Sequence, residues 1–246
     1  MVRNSADADR MGRAGQSARR VLERVGEAVR PGVVTDDLDA VAHEAYLAEG
    51  GYPSTLGYRG YPKSLCTSVN EVVAHGIPDS RELEEGDIVN CDVTIFLDGV
   101  HGDCSATFAV GDVDPRIRRL VAVTEEAMWA GIAAVRPGAR LRDIGWAIQA
   151  VADRDGFGVV RELVGHGIGE QFHGAPWVYH YDEPKARTRL RAGMAFTIEP
   201  MLTLGDPAIT MWDDGWTVVT VDRQPSAQFE HTVLVTGAGV EVLTVP

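Results

Sequence analysis

The stretch IVNCDVTIFLDGVHGDCSATFAV, residues 88–110, decides how the chain is read. Ile88 to Phe96 and Ser105 to Val110 are rich in β-branched and aromatic residues. Asp98-Gly99 between them is a dipeptide that favours a two-residue turn with both residues at positive φ. Two antiparallel strands are predicted. In that register Asp103 stands opposite Thr94, and Thr94 shares a face with Asp92 because side chains alternate along a strand. The two carboxylates then become diagonal neighbours, their Cα atoms about 7–8 Å apart. Either aspartate alone could be a solvated edge residue, the common fate of Asp. Paired on one face of an apolar hairpin, they suggest a cation.

Helices are predicted on both sides of this hairpin. Met11, Ala14, Ala18, Val21, Leu22, Val25 and Val29 recur at three- and four-residue steps, the period of an amphipathic helix, which Pro31-Gly32 stops. A second helix starts near Thr35-Asp36, carries Leu38, Val41, Ala42, Ala45 and Tyr46, and ends at Gly50-Gly51. A Gly/Tyr/Pro loop follows over 51–63. Beyond the hairpin, Asp114-Pro115 offers an N-cap with proline at the first helical position, and the apolar period runs to Val135. Its stop, Ala134-Val135-Arg136-Pro137-Gly138, matches Ala28-Val29-Arg30-Pro31-Gly32 letter for letter. His75-Gly76-Ile77 is echoed by His166-Gly167-Ile168, and the approach to Asp92 by the approach to Glu199. This self-similarity predicts an internal repeat: one domain over 1–246, with halves at about 11–113 and 114–246.

Acids interrupt apolar strands in the second half too, at Glu199 in AFTIEP (195–200) and at Glu230 in QFEHT (228–232). Four carboxylates converging in a sheet interior repel one another, and without countercharge they would take up protons. Two divalent cations balance them. His166, alone among glycines, reads either as a hydrogen-bonded loop residue or as the imidazole that completes the set. One imidazole with four carboxylates suits manganese, iron, cobalt or zinc in a two-metal hydrolytic site.

Composition narrows the class. With 45% apolar and 24% charged residues the chain can bury a sizeable core. A formal charge of −13 disfavours nucleic acid and anionic membranes as partners. Three cysteines, Cys66, Cys91 and Cys104, lack CxxC spacing, so no disulfide framework or Cys-zinc site is expected and a reducing cytoplasm fits. No run approaches the roughly 18 apolar residues of a membrane span, and Asp7, Asp9 and Arg10 interrupt the place of a signal-peptide core.

The segments Tyr61-Pro62-Lys63-Ser64, Asn70 to Pro78 (NEVVAHGIP), Val164-Gly165-His166-Gly167-Ile168-Gly169 and Thr197-Ile198-Glu199-Pro200-Met201 resemble type I methionine aminopeptidases, and the similarity runs from about Met11 to Val235. The resemblance implies an α+β pita-bread fold, with two pseudo-symmetric halves and a curved antiparallel sheet covered by helices. It implies an enzyme that removes the initiator methionine when the second residue is small, using a hydroxide that bridges two divalent metals (Co, Mn, Fe or Zn). Asp92 would bind one metal, His166 and Glu199 the other, and Asp103 and Glu230 both. Glu199 would also shuttle the proton. His75 would lie beside the substrate amino terminus and scissile amide, a placement to which the echo of His166 adds weight, and His173 would reach the peptide carbonyl. Tyr58, Tyr61, Cys66, Phe172 and Trp216 would wall the methionine pocket, although core packing is the commoner role of Phe and Trp.

Two departures stand out: Thr55 where many bacterial members have cysteine, and Cys91 before Asp92 where an aliphatic residue is usual. Only 31 positions separate Glu199 from Glu230, which leaves no room for the helical insertion of type II enzymes. The implied partners are nascent polypeptide N-termini, including those at the ribosome, and the expected state is a monomer. Two rivals are an aminopeptidase P or prolidase-like enzyme and a noncatalytic pita-bread binding protein. The first normally carries a large N-terminal domain, whereas about ten residues precede the first predicted helix. The second lacks some ligands.

Overall fold

The hairpin is the longest strand pair in the computed structural model, which describes residue 2 and residues 4–245. Its helices are α1 (Ser5–Ala28), α2 (Thr35–Ala48), α3 (Pro115–Ala133) and α4 (Leu141–Asp155). In the first half the strands are β1 (Tyr52–Pro53), β2 (Cys66–Val69), β3 (Val72–Ala74), β4 (Ile88–Leu97) and β5 (Val100–Ala109). β6 (Gly158–Val159), β7 (Gly165–Gly167), β8 (Gly174–Val178), β9 (Ala195–Ile198) and β10 (Met201–Thr203) follow. The last are β11 (Ile209–Met211), β12 (Val218–Thr220), β13 (Ser226–Gln228), β14 (Glu230–Val235) and β15 (Val240–Val242).

Asp98 (φ 51°) and Gly99 (φ 81°) turn β4 into β5 with both residues at positive φ, and Thr94 lies opposite Asp103 as the register requires. β5 starts at Val100, five residues before the expected Ser105. His101, Gly102 and Asp103 are weak strand formers, yet the tight turn carries the ladder through them. Helix α1 likewise starts earlier than the apolar period indicates, at Ser5. Its first residues show no apolar stripe, and the Asn4 side chain caps the helix by accepting from the Asp7 N–H.

Side chains alternate along β4. Val89, Cys91, Val93 and Ile95 pack under α1 and α2, together with Cys104 of β5. Asn90, Asp92 and Thr94 take the opposite face. Cys91 therefore adjoins Asp92 in sequence but lies in the helix-side core, fully buried. In the second half α3 and α4 cover Phe196, Ile198 and Val233 in the same way. Both layers share one antiparallel nine-stranded sheet, ordered β1-β4-β5-β14-β9-β7-β8, with β2 also on β4 and β15 also on β14.

The halves repeat each other hydrogen bond by hydrogen bond. The N–H of Gly32 donates to Leu83 O and that of Leu83 to Val33 O; Gly138, Leu190 and Ala139 do the same. Gly86, Val110 and Asp87 form a second set, matched by Gly193, Val235 and Met194. Gly32 and Gly138 share φ 86°, a value that only glycine adopts without strain, which explains why the Pro-Gly stop recurs. Asp92 and Glu199 follow Gly86 and Gly193 at equal spacing, so they are true counterparts. Other echoes are not. Counting back five residues from Val110 and Val235 pairs Glu230 with Ser105, not with Asp103. His75 follows β3, which pairs with β12, whereas His166 lies within β7, which pairs with β9. Their sequence similarity therefore does not reflect equivalent positions.

Two glycines of α1 should respond oppositely to alanine. A Cβ at Gly12 meets nothing, whereas one at Gly15 runs into the Leu243 backbone carbonyl. Urea unfolding should show Gly12→Ala stabilised by about 0.5–1 kcal/mol and Gly15→Ala destabilised by about 1–3 kcal/mol. Equal responses would mean that α1 does not pack on the C-terminal segment.

Candidate metal centre and cavity

Asp92 on β4, Asp103 on β5, His166 on β7, Glu230 at the start of β14 and Glu199 just after β9 reach one cavity of about 300 Å³. The sheet order places β4, β5, β14, β9 and β7 side by side, so five sequence-distant residues meet across neighbouring strands. Asp103, His166 and Glu230 each offer a ligand atom within 4.8 Å of the others, and all three are buried. His166 Nε2 lies 3.7 Å from both Asp103 Oδ2 and Glu199 Oε1.

Neighbouring hydroxyls hold these groups in place. Thr94 Oγ1 donates to Asp103 Oδ1 at 2.7 Å. Thr197 Oγ1 accepts from the His166 N–H at 2.9 Å and donates to Glu199 Oε1 at 2.6 Å, which ties the two together. Gln228 Nε2 donates to Glu199 Oε2 at 3.4 Å. Behind it the Glu199 N–H donates to the Nε2 of buried His180 at 3.2 Å. Of these helpers only Thr94 follows from the hairpin register. Sequence reasoning assigned no role to Thr197, Gln228 or His180, whose bonds to His166 and Glu199 span 31, 29 and 19 residues, the local Thr197–Glu199 bond apart.

Some donors remain unused. Asp92 Oδ1 and Glu230 Oε1 are buried without a hydrogen-bond partner among the described residues. A buried acceptor left so is costly unless a cation or water meets it. Burial pushes Asp92 up to about 7 and Glu199 up to about 8. Asp103 and Glu230 rise further still, with repulsion from the neighbouring carboxylates added to burial. Burial also lowers His166 to about 4, which keeps its ring neutral and fit to ligate. Clustered carboxylates that resist ionisation beside a neutral imidazole form a donor set suited to divalent cations.

All twelve residues picked out in the sequence line this cavity. His173 Nδ1 is 3.0 Å from the Tyr58 hydroxyl, and its ring lies 4.2 Å from that of His166. His75 faces Trp216 edge-on, with ring centroids 6.1 Å apart. The Tyr61 hydroxyl donates to Leu65 O and Gly76 O, which fixes the ring. Thr55 Oγ1 is committed to Ser64 O at 2.7 Å. Arg59 and Trp177 also line the cavity, and sequence reasoning named neither. A larger groove of about 690 Å³ beside α1 is a weaker candidate. Its described lining holds no histidine or cysteine, and its Arg10 pairs with Asp7 and lies 4.0 Å from Glu170.

The fold and its buried acid–imidazole cluster define a metallopeptidase that uses divalent metal. The model of metallopeptidase family M24 matches residues 9–237. Methionine aminopeptidase 2 of Mycobacterium tuberculosis is 55% identical over 236 residues, spanning 96% of this chain and 83% of that protein. The methionine aminopeptidase of Salmonella typhimurium is 50% identical over 245 residues, 99% of this chain and 93% of its own. In structure, the methionine aminopeptidase from Rickettsia prowazekii superposes with a TM-score of 0.97 at 44% identity, over 100% of this chain and 99% of its own. The chain belongs to the methionine aminopeptidases of metallopeptidase family M24, and its architecture is the expected α+β pita-bread fold.

The raised carboxylates give the metal-free protein a distinctive pH response. A carboxyl whose folded pKa lies above its unfolded value of about 4 binds more protons folded than unfolded, so folding stability falls as pH rises between the two. After chelation the melting temperature should therefore drop from about pH 4 towards pH 8, the window set by Asp92 at about 7 and Glu199 at about 8. Added metal should flatten the drop. A metal-free protein whose melting temperature does not change across that window would contradict a buried acidic cluster.

Proposed function

We propose that this chain removes the N-terminal methionine from polypeptides whose second residue is small, with two divalent cations (Co, Mn, Fe or Zn) held by the five-donor cluster. The observation that carries the reading is the convergence of those donors with two further histidines and an aromatic wall on one cavity. Asp92 would hold one cation, His166 and Glu199 would hold the other, and Asp103 and Glu230 would serve the pair. Such a pair supplies Lewis acidity, which makes water a usable nucleophile near neutral pH.

The protein's own groups do the rest. Glu199 takes the proton that the attacking water gives up. Its Oε1 already accepts from Thr197, which leaves Oε2, with only the long Gln228 contact, as the receiving atom. With the Tyr58 hydroxyl donating to Nδ1, His173 carries its proton on Nε2 and donates to the carbonyl oxygen as charge develops there. His75 positions the amide and assists the leaving nitrogen. Tyr58, Tyr61, Cys66, Phe172 and Trp216 form the apolar wall against which a flexible thioether packs. Burial raises the Cys66 thiol far above its ordinary range, so it serves as wall and not as nucleophile.

Both halves supply ligands, Asp92 and Asp103 from one and the remaining three from the other, so the chain works as a single catalytic domain. No ligand is needed from a second copy, which supports a monomer. Three free buried cysteines support the cytoplasm, where nascent chains at the ribosome would be the substrates. Among the described residues no helix is long and apolar enough to cross a membrane.

Peptides starting Met-Ala, Met-Gly and Met-Val should be cleaved, and those starting Met-Lys or Met-Leu should not. Mass spectrometry of the products decides, and selective release of residues before proline would move the chain to another branch of the fold. Ligation and catalysis separate by mutation. His173→Ala should keep its metal while turnover falls by about 10²–10³, whereas Glu230→Gln should lose metal. Metal analysis alongside kinetics tests both, and a fully active His173→Ala protein would remove that histidine from the mechanism.

A further inference from the structure

The residues lining the catalytic cavity differ sharply in exposure. Asp103, His166 and Glu230 are buried at its floor, and only Arg59 and Trp177 are exposed. These two therefore frame the mouth, through which every residue after the first must leave a cavity of about 300 Å³. Arg59 is the only lysine or arginine among the lining residues. Its guanidinium sits 5.3 Å over the Tyr58 ring, and it has no carboxylate partner among the described residues.

The backbone holds Arg59 at this spot under strain. Its φ is 49°, a left-handed conformation unusual for a residue with a side chain, and Gly57 (φ 80°) and Gly60 (φ 88°) flank it in the same region. Non-glycine residues kept at such values concentrate at ligand-contacting sites. Tyr58, beneath the guanidinium, hydrogen-bonds His173, which acts at the scissile carbonyl. The free cation thus sits at the exposed edge of the cavity, one ring away from the histidine assigned to the scissile carbonyl. With four carboxylates at the floor and a chain charge of −13, an unpaired arginine at the mouth is an exception to its surroundings.

We propose that Arg59 selects peptides with an acidic side chain in the residues just downstream of the scissile bond, by pairing with that carboxylate at the mouth. Arginine suits this role, because its planar fork matches a carboxylate and its charge persists at all working pH values. Trp177, the other exposed lining residue, offers a flat apolar face to the same segment. The inference rests on the aminopeptidase reading above.

The test compares kcat/KM for Met-Ala-Asp-Asp, Met-Ala-Ser-Ser and Met-Ala-Lys-Lys peptides on the metal-loaded enzyme, its Arg59→Gln and its Arg59→Glu forms. Solvent-exposed pairs are weak, so the native enzyme should favour the acidic over the basic peptide by about two- to fivefold at low salt. The ratio should approach one in Arg59→Gln, invert in Arg59→Glu, and shrink in all forms at about 1 M salt, where the Debye length is about 3 Å. A ratio unchanged by either substitution, or a uniform loss across all three peptides, would overturn the proposal and leave Arg59 a structural residue of the loop. Failure of the native enzyme to cleave any of the three would instead sink the aminopeptidase reading itself.

Discussion

Four carboxylates share one face of an antiparallel sheet, and the rest of the structure accommodates that arrangement. Like charges this close cannot all ionise in a dry interior without countercharge. The sheet separates its two faces by strict alternation. Val89, Cys91, Val93 and Ile95 turn to the helices, and Asp92 and Thr94 to the cavity. Apolar burial on the first face anchors the strands while the second carries groups that oppose folding until a cation arrives. Stability and ligand geometry are thus set by opposite faces of the same residues' strands, which is why a one-residue slip would destroy both at once.

Pseudo-symmetry explains how such a site is assembled but not all of its contents. Paired turns at Gly86 and Gly193 set Asp92 and Glu199 at matching positions in the two halves. Asp103 and Glu230 break the symmetry: Glu230 corresponds to Ser105, and Asp103 has no acidic counterpart. The repeat therefore delivers a frame with two equivalent acids, and the remaining donors were fitted to it singly. His75 and His166 show the same thing. They resemble each other in sequence yet enter the cavity from elements with different partners.

How much of this was legible follows the range of each interaction. Asp98-Gly99 fixes the hairpin within a few residues, so the opposition of Thr94 and Asp103 could be read directly. The Pro-Gly stops, with their left-handed glycines, marked the repeat for the same reason. Ends of elements were harder. β5 runs through His101-Gly102-Asp103 because its partner strand holds it, and α1 reaches back to Ser5 on a polar cap without an apolar stripe. Least visible were Gln228 and His180, and the bond from Thr197 to the His166 N–H, which depend on contacts between residues distant in sequence. Glu199 and Glu230 were read from acids that interrupt apolar strands and His166 from a histidine among glycines, whereas the pocket wall, His173 and the division of ligands between metals were legible only through resemblance to a family.

Floor and mouth obey different physics. At the floor, buried groups interact strongly, and displacing one hydroxyl such as that of Thr197 would unsettle both His166 and Glu199. At the mouth, Arg59 and Trp177 are solvent-exposed, and any interaction they make is weak and screened. A cavity so built can hold its chemistry constant while its preference among substrates drifts. Floor residues are constrained by one another, whereas a rim residue without an ion-pair partner is constrained by the backbone strain that holds it and by whatever chain passes over it. The His173–Tyr58 hydrogen bond links these regimes, joining a cavity histidine to the loop that carries Arg59. A change in that loop would reach His173 through this bond, so sequence drift at the mouth is free only as far as Tyr58 stays where it is.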